Sequence, residues 1–270
     1  MTNSNRTPSG FPMLDLLTGG YPTGSIVAAR YLGNELQAEI VQAYMERQAI
    51  AFALSNGKPG MKTLLVTLQM TENETARSLF MGKYVPTETL VQASLHISAL
   101  DERKKVPDPG VFLSELEDNI RKLRPQALII DAIDNLIPKD DPATREAVSE
   151  MLLSALFAII ERNPVPVIVT DYENRWEATG YREPRIVDIE LNEDAYGTVQ
   201  AAIHEGERKT VIENLFGVPE SPGLEIVRAI IRSEGYLPPA GLKDEVPILA
   251  GAAAIAIRHI DKLLKPTDHD

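Results

Sequence analysis

The chain has 270 residues, 44% apolar and 24% charged, enough to bury a sizeable core in one large domain or two small ones. Its 27 basic and 39 acidic residues leave a formal charge of −12, which argues against broad, nonspecific duplex binding, because that needs basic surface to neutralise phosphates. The lack of cysteine excludes disulfides, thiolate metal sites and cysteine nucleophiles, and His96, His204, His259 and His269 are too scattered to suggest a metal site.

Residues 1–9 are polar, lack the apolar core of a signal peptide, and are expected to be disordered. Strands are expected at Ser25–Arg30, Lys62–Leu68, Ala127–Ile133, Pro166–Asp171, Arg185–Leu191 and Thr198–Glu205. The second, third and fourth are continuously apolar, as strands covered on both faces are. Helices are expected between them. Leu36–Leu54 places Leu36, Ile40, Tyr44 and Ala51 near a helical period and stops at Gly57, Pro59 and Gly60. Thr71–Tyr84 opens with Thr-Glu-Asn-Glu, the pattern of a capping box. Asp108–Leu123 and Pro142–Arg162 follow. Strand alternating with helix predicts an α/β fold, a mostly parallel central sheet flanked by helices.

Beyond Glu205 the pattern loosens. Leu224–Tyr236 reads as a helix with Leu224, Val227 and Ile231 on one face, and Ile248–Leu264 as a C-terminal helical extension. The expected organisation is one domain over residues 10–237, then a linker and helix over 238–270. The longest apolar run, Val246–Ile257, falls short of the ~18 residues a membrane span requires, so a cytoplasmic location is expected.

The stretch Ser9–Val27, SGFPMLDLLTGGYPTGSIV, resembles the opening segment of the RecA-fold ATPases of the KaiC, RadA and Rad55 type. Gly10, Leu14, Asp15, Leu17, Gly19, Gly20, Pro22, Gly24 and Ser25 fall in register with that family's pattern. The glycines at 19 and 20 permit a tight chain reversal, and Pro22–Gly24 turns the chain into the first core strand. The later stretches KTLLVTLQMTENE, RPQALIIDAIDNL and VPVIVTD resemble the family's second core strand, Walker B strand and following strand. The resemblance covers about Gly10–Ile203 and implies a RecA-like fold of the P-loop NTPases.

Two departures bear on function. Counting from Ser25, the phosphate loop falls on Tyr31–Ala38. A Walker A loop wraps phosphates with glycine backbone, neutralises them with lysine and holds Mg²⁺ with a hydroxyl. Here only Gly33 remains of the glycines. Asn34 and Glu35 follow, with Glu35 adding negative charge, and Leu36, Gln37 and Ala38 stand at the glycine, lysine and hydroxyl positions. The pairs Gly57–Lys58 and Gly82–Lys83 lack the rest of the motif. At the end of the second strand, where the family places a glutamate that polarises water, stands Gln69. Asp131 occupies the Walker B position. Gln69 and Asp131 are therefore read as vestigial, with no catalytic residue, metal or cofactor expected.

The loop Asn174–Arg185 carries Arg175, the sole tryptophan Trp176, Tyr181, Arg182 and Arg185. It follows a core strand at its C-terminal end, where open α/β sheets place working loops. Stacking and basic residues there suit a nucleic-acid or partner contact, and an ordered surface or subunit-contact loop is the plainer expectation. Three functional readings stand. One is a structural or regulatory subunit that has lost ATP hydrolysis, in a homo-oligomer or beside a related RecA-fold subunit. Another is an ATPase using ATP and Mg²⁺ through a divergent loop, with Lys58, Lys62 or a neighbouring subunit's arginine replacing the lost lysine. The third is a RadA/Rad55-like accessory to DNA recombination and repair.

Overall fold

The computed structural model describes residues 6–31, 38–55, 62–80, 94–101, 103, 105–139, 141–173, 175–176, 185–193 and 198–216. The strands are β1 (Arg6–Thr7), β2 (Tyr21–Pro22), β3 (Ile26–Tyr31), β4 (Thr63–Thr71), β5 (Leu95–Leu100), β6 (Ala127–Asp131), β7 (Val167–Asp171), β8 (Ile186–Glu193), β9 (Val199–Glu205) and β10 (Arg208–Ile212). The helices are α1 (Pro12–Thr18), α2 (Ala38–Ser55), α3 (Glu72–Phe80), α4 (Pro109–Leu123) and α5 (Pro142–Arg162), with a 3-10 turn at Ile133–Leu136.

The apolar runs become the middle of an eight-stranded sheet in the order β10-β9-β8-β3-β7-β6-β4-β5. From β8 to β5 all neighbours are parallel, and β9 and β10 add an antiparallel ribbon at one edge. Side chains alternate across the sheet. Leu65, Ile129 and Ile168 face α1, α2 and α3, where Leu14, Val41 and Leu79 complete one core. Leu64, Leu128 and Val167 face α4 and α5, where Phe112, Leu116, Leu152 and Leu156 complete the other. This is the mostly parallel α/β architecture that the strand–helix alternation predicts.

Helix starts follow local chemistry. Asp108 before Pro109 and Asp141 before Pro142 each accept a backbone N–H two residues on, from Gly110 at 2.9 Å and Ala143 at 3.1 Å. At α3 the capping box forms in both directions. Thr71 N–H donates to Glu74 Oε2 at 2.9 Å, and Glu74 N–H to Thr71 Oγ1 at 3.4 Å.

Several expectations are corrected. Residues 6–9 are ordered: β1 pairs antiparallel with β2, and Ser9 is buried with its hydroxyl on Asp15 at 2.7 Å. Gly20 makes this close approach feasible, since it sits at φ +94° and a Cβ there would lie 2.2 Å from the Thr7 carbonyl oxygen. Arg6 also reaches Glu205 in β9 and the Gly20 carbonyl. The strand expected to reach Ile133 stops at Asp131, because Ala132 turns left-handed (φ 59°) into the 3-10 turn. Sequence reasoning also missed α1, the edge strand β5, and β10. For β10 a signal was present: Gly206 (φ 61°) opens a two-residue turn between paired Glu205 and Arg208.

The expected helices over 224–236 and 248–264, and the linker between them, lie outside the described residues. Among the described residues, no helix is long and apolar enough to cross a membrane.

Candidate functional site

In an open parallel sheet the strand order decides which side chains can meet. Where β6 and β7 end beside β4, the period-two alternation sends Thr67, Gln69, Asp131, Thr170 and Tyr172 to the α2 face. Thr67 is the direct register partner of Asp131. The two positions read as vestigial, Gln69 and Asp131, thus meet in the fold, with three residues that sequence reasoning did not single out.

Asp131 is fully buried and accepts four hydrogen bonds. Thr67 Oγ1 (2.8 Å) and Gln69 Nε2 (3.0 Å) donate to Oδ2, while Thr170 Oγ1 (2.9 Å) and the Tyr172 hydroxyl (2.8 Å) donate to Oδ1. All four donors are neutral. Burial raises the Asp131 carboxyl above its ordinary range, and the bonds from Tyr172, Thr67, Thr170 and Gln69 pull it back down. Burial, then the charge of Asp131, pushes the Tyr172 phenol well above its ordinary value, so it remains a donor. An ionised carboxylate offers about four lone-pair sites, and here each oxygen already has two donors. Mg²⁺ demands near-octahedral oxygen ligands at about 2.0–2.1 Å and would have to displace these donors to bind Asp131 directly. The residues around Asp131 therefore do not fit a directly bound magnesium ion.

A second acidic group lies on the opposite, α5 face. Asp171 is buried and accepts backbone N–H groups from Glu173, Arg175 and Trp176 at 3.2, 3.2 and 2.8 Å. Arg175 donates to the Ile137 carbonyl at 2.6 Å and to Asp134 Oδ2 at 3.2 Å, tying the chain after β7 to the chain after β6. Its Nε lies 3.0 Å from Glu173 Oε2, close in charge but not aligned as a hydrogen bond. Burial, and next the charge of Asp171, push the Asp134 carboxyl up to about 6.

The nucleic-acid reading of this loop is corrected accordingly. Arg175 is buried and committed to the loop that it staples, and Trp176 is buried in the core on the α5 side. Arg185 lies at the opposite, N-terminal end of the parallel strands, since it precedes β8, which runs parallel to β7. There it stacks over Phe157 at 4.4 Å and pairs with Glu161 at 3.1 Å. Tyr181 and Arg182 lie outside the described residues, as do Gly33, Asn34, Glu35, Leu36 and Gln37. Ala38 begins α2.

No family model and no curated protein matches the chain. Among solved structures it is similar to the KaiC-like protein PH0186 from the hyperthermophilic archaeon Pyrococcus horikoshii OT3, with a TM-score of 0.51 and 17% identity over 76% of this chain and 90% of that chain. The fold is KaiC/RecA-like. In this sheet Asp131 is the last residue of β6, and Gln69 lies two residues before the end of the neighbouring strand β4.

Two predictions follow from this geometry. Arg175→Ala strips the buried Asp134 of its cation and is expected to cost about 3–5 kcal/mol in urea unfolding. Arg185→Ala, which removes a half-exposed pair and one ring contact, is expected to cost under about 1 kcal/mol. Equal losses would contradict the assignment of Arg175 as the staple. Asp134 binds its proton more tightly folded than unfolded, so its contribution to stability is greatest below the unfolded value of 3.8 and declines as pH rises towards about 6. Urea midpoints measured across that window are expected to depend less on pH in Asp134→Asn, which keeps an acceptor for Arg175, than in the native protein.

Proposed function

We propose that this chain is a KaiC/RecA-fold subunit that has lost ATP hydrolysis and serves as a structural or regulatory member of an oligomeric assembly. The observation that carries this reading is the closed shell of four neutral donors on Asp131. One of those donors, Gln69, stands where the resemblance expects a general base. A glutamine amide neither accepts the proton of an attacking water nor leaves the carboxylate open to a cation. The substitutions at Leu36, Gln37 and Ala38 point the same way, since they remove the phosphate loop's glycine, cation and magnesium hydroxyl. Two carboxylates side by side in this buried position would repel, and glutamine beside Asp131 avoids that cost.

In this reading the assembly surface of the fold is what the protein uses. The partners are further copies of the chain or a related RecA-fold subunit. The ATPase reading would need a donor set for Mg²⁺ other than Asp131. The recombination-accessory reading loses Arg175 and Trp176, two of its five supporting residues, to the interior.

The test is a calorimetric titration of the full chain with ATP, with and without Mg²⁺, beside a light-scattering mass. The expected outcome is no magnesium-dependent binding and a mass above that of one chain. Saturable, magnesium-dependent ATP binding with turnover would overturn the reading, and so would a strict monomer both alone and with its candidate RecA-fold partner.

A further inference from the structure

At the end of the central strands opposite Asp131, α4 and α5 end side by side. Arg124 caps α4 in a left-handed conformation (φ 47°), its N–H on the Ile120 carbonyl at 2.8 Å, and Asn163 caps α5 on the Ile159 carbonyl at 2.8 Å. Between the two ends lies a half-open groove of about 510 Å³, within the size range of ligand clefts. Its floor includes Ile120, Ile159 and Val165, and three arginines, Arg121, Arg124 and Arg162, stand around it.

We infer that this groove is a docking site for an acidic peptide with an apolar anchor residue. The charge argument comes first. On a chain of net charge −12, three arginines and one carboxylate, Glu117, line this groove. Arg121 pairs with Asp118 at 3.0 Å and Arg162 with Glu117 at 2.8 Å, both in exposed pairs. Such pairs contribute about 0–1 kcal/mol, so an incoming carboxylate competes with them at small cost. Arg124 has no ion pair among the described residues, and its exposed guanidinium fork suits a carboxylate. A free phosphate brings no apolar surface for the Ile120, Ile159 and Val165 floor.

The groove is distant from Asp131, so the inference stands or falls apart from the proposed function. The test is fluorescence anisotropy of the full chain with a labelled Glu-Glu-Leu-Glu-Glu peptide, with Lys-Lys-Leu-Lys-Lys as control. Expected are saturable binding of the acidic peptide alone, weakening in high salt, and at least a tenfold rise in Kd in the double variant Arg124→Gly/Arg162→Gln. Glycine suits the left-handed position, so this variant is designed to remove charge without unfolding the cap, and its melting temperature checks that. Equal binding of both peptides, no binding, or an unchanged Kd in the folded variant would overturn the inference. Competition by inorganic phosphate at equal concentration would reassign the groove to a small anion and likewise overturn it.

Discussion

The interior of this protein holds a carboxylate with no cation among its hydrogen-bond partners. Taking such a group out of water costs several kcal/mol unless something compensates its charge. Asp131, at the end of β6, is compensated by four neutral donors from the two flanking strands, Thr67 and Gln69 on β4 and Thr170 and Tyr172 on and just after β7, and hydrogen bonds to a charged group contribute about 1.5–3 kcal/mol each. The arrangement works only if β4, β6 and β7 are neighbours in this register. The same bonds that satisfy the charge therefore help fix the strand order at the centre of the sheet.

The two sides of the sheet then differ in kind. On the α2 side the polar centre is closed and neutral-donor in character. On the α5 side, Asp134, Asp171 and Arg175 tie together the chain segments after β6 and β7, with Arg175 bridging to both the Asp134 carboxylate and the Ile137 carbonyl. That side is ionic, and burial raises both its carboxyls. The ends of the central strands, where an α/β sheet places its chemistry, are thus occupied by interactions internal to the chain. In the proposed reading, what was retained is architecture and what was given up is the open coordination that magnesium and phosphate need.

The fold was legible because its signals are local and redundant. Continuous apolar strands, helical periods between them, and the Thr71–Glu74 capping pair each pointed to the same architecture. Gly19 and Gly20 adopt the positive φ values that the turn reading requires. The Asp131 site was half legible. Gln69 and Asp131 could be named from their offsets, but Thr67, Thr170 and Tyr172 became partners only through strand order, which lies 39–64 residues beyond local pattern. The loop after β7 misled for a physical reason. Arginine and tryptophan in a loop read as surface chemistry, yet Asp134 and Asp171, unremarkable in the sequence, draw Arg175 inward, and Trp176 follows into the core. Residues 6–9 misled in the opposite sense: a polar composition concealed a strand whose partner is brought close by one glycine.

The account rests on Asp131 being saturated by its own neighbours, and Mn²⁺ electron paramagnetic resonance tests this most directly, with manganese standing in for magnesium. In the presence of ATP and the full chain, the spectrum is predicted to match that of Mn²⁺ and ATP alone, and to be unchanged in Asp131→Asn. A protein-immobilised manganese signal that disappears on that substitution would contradict the account.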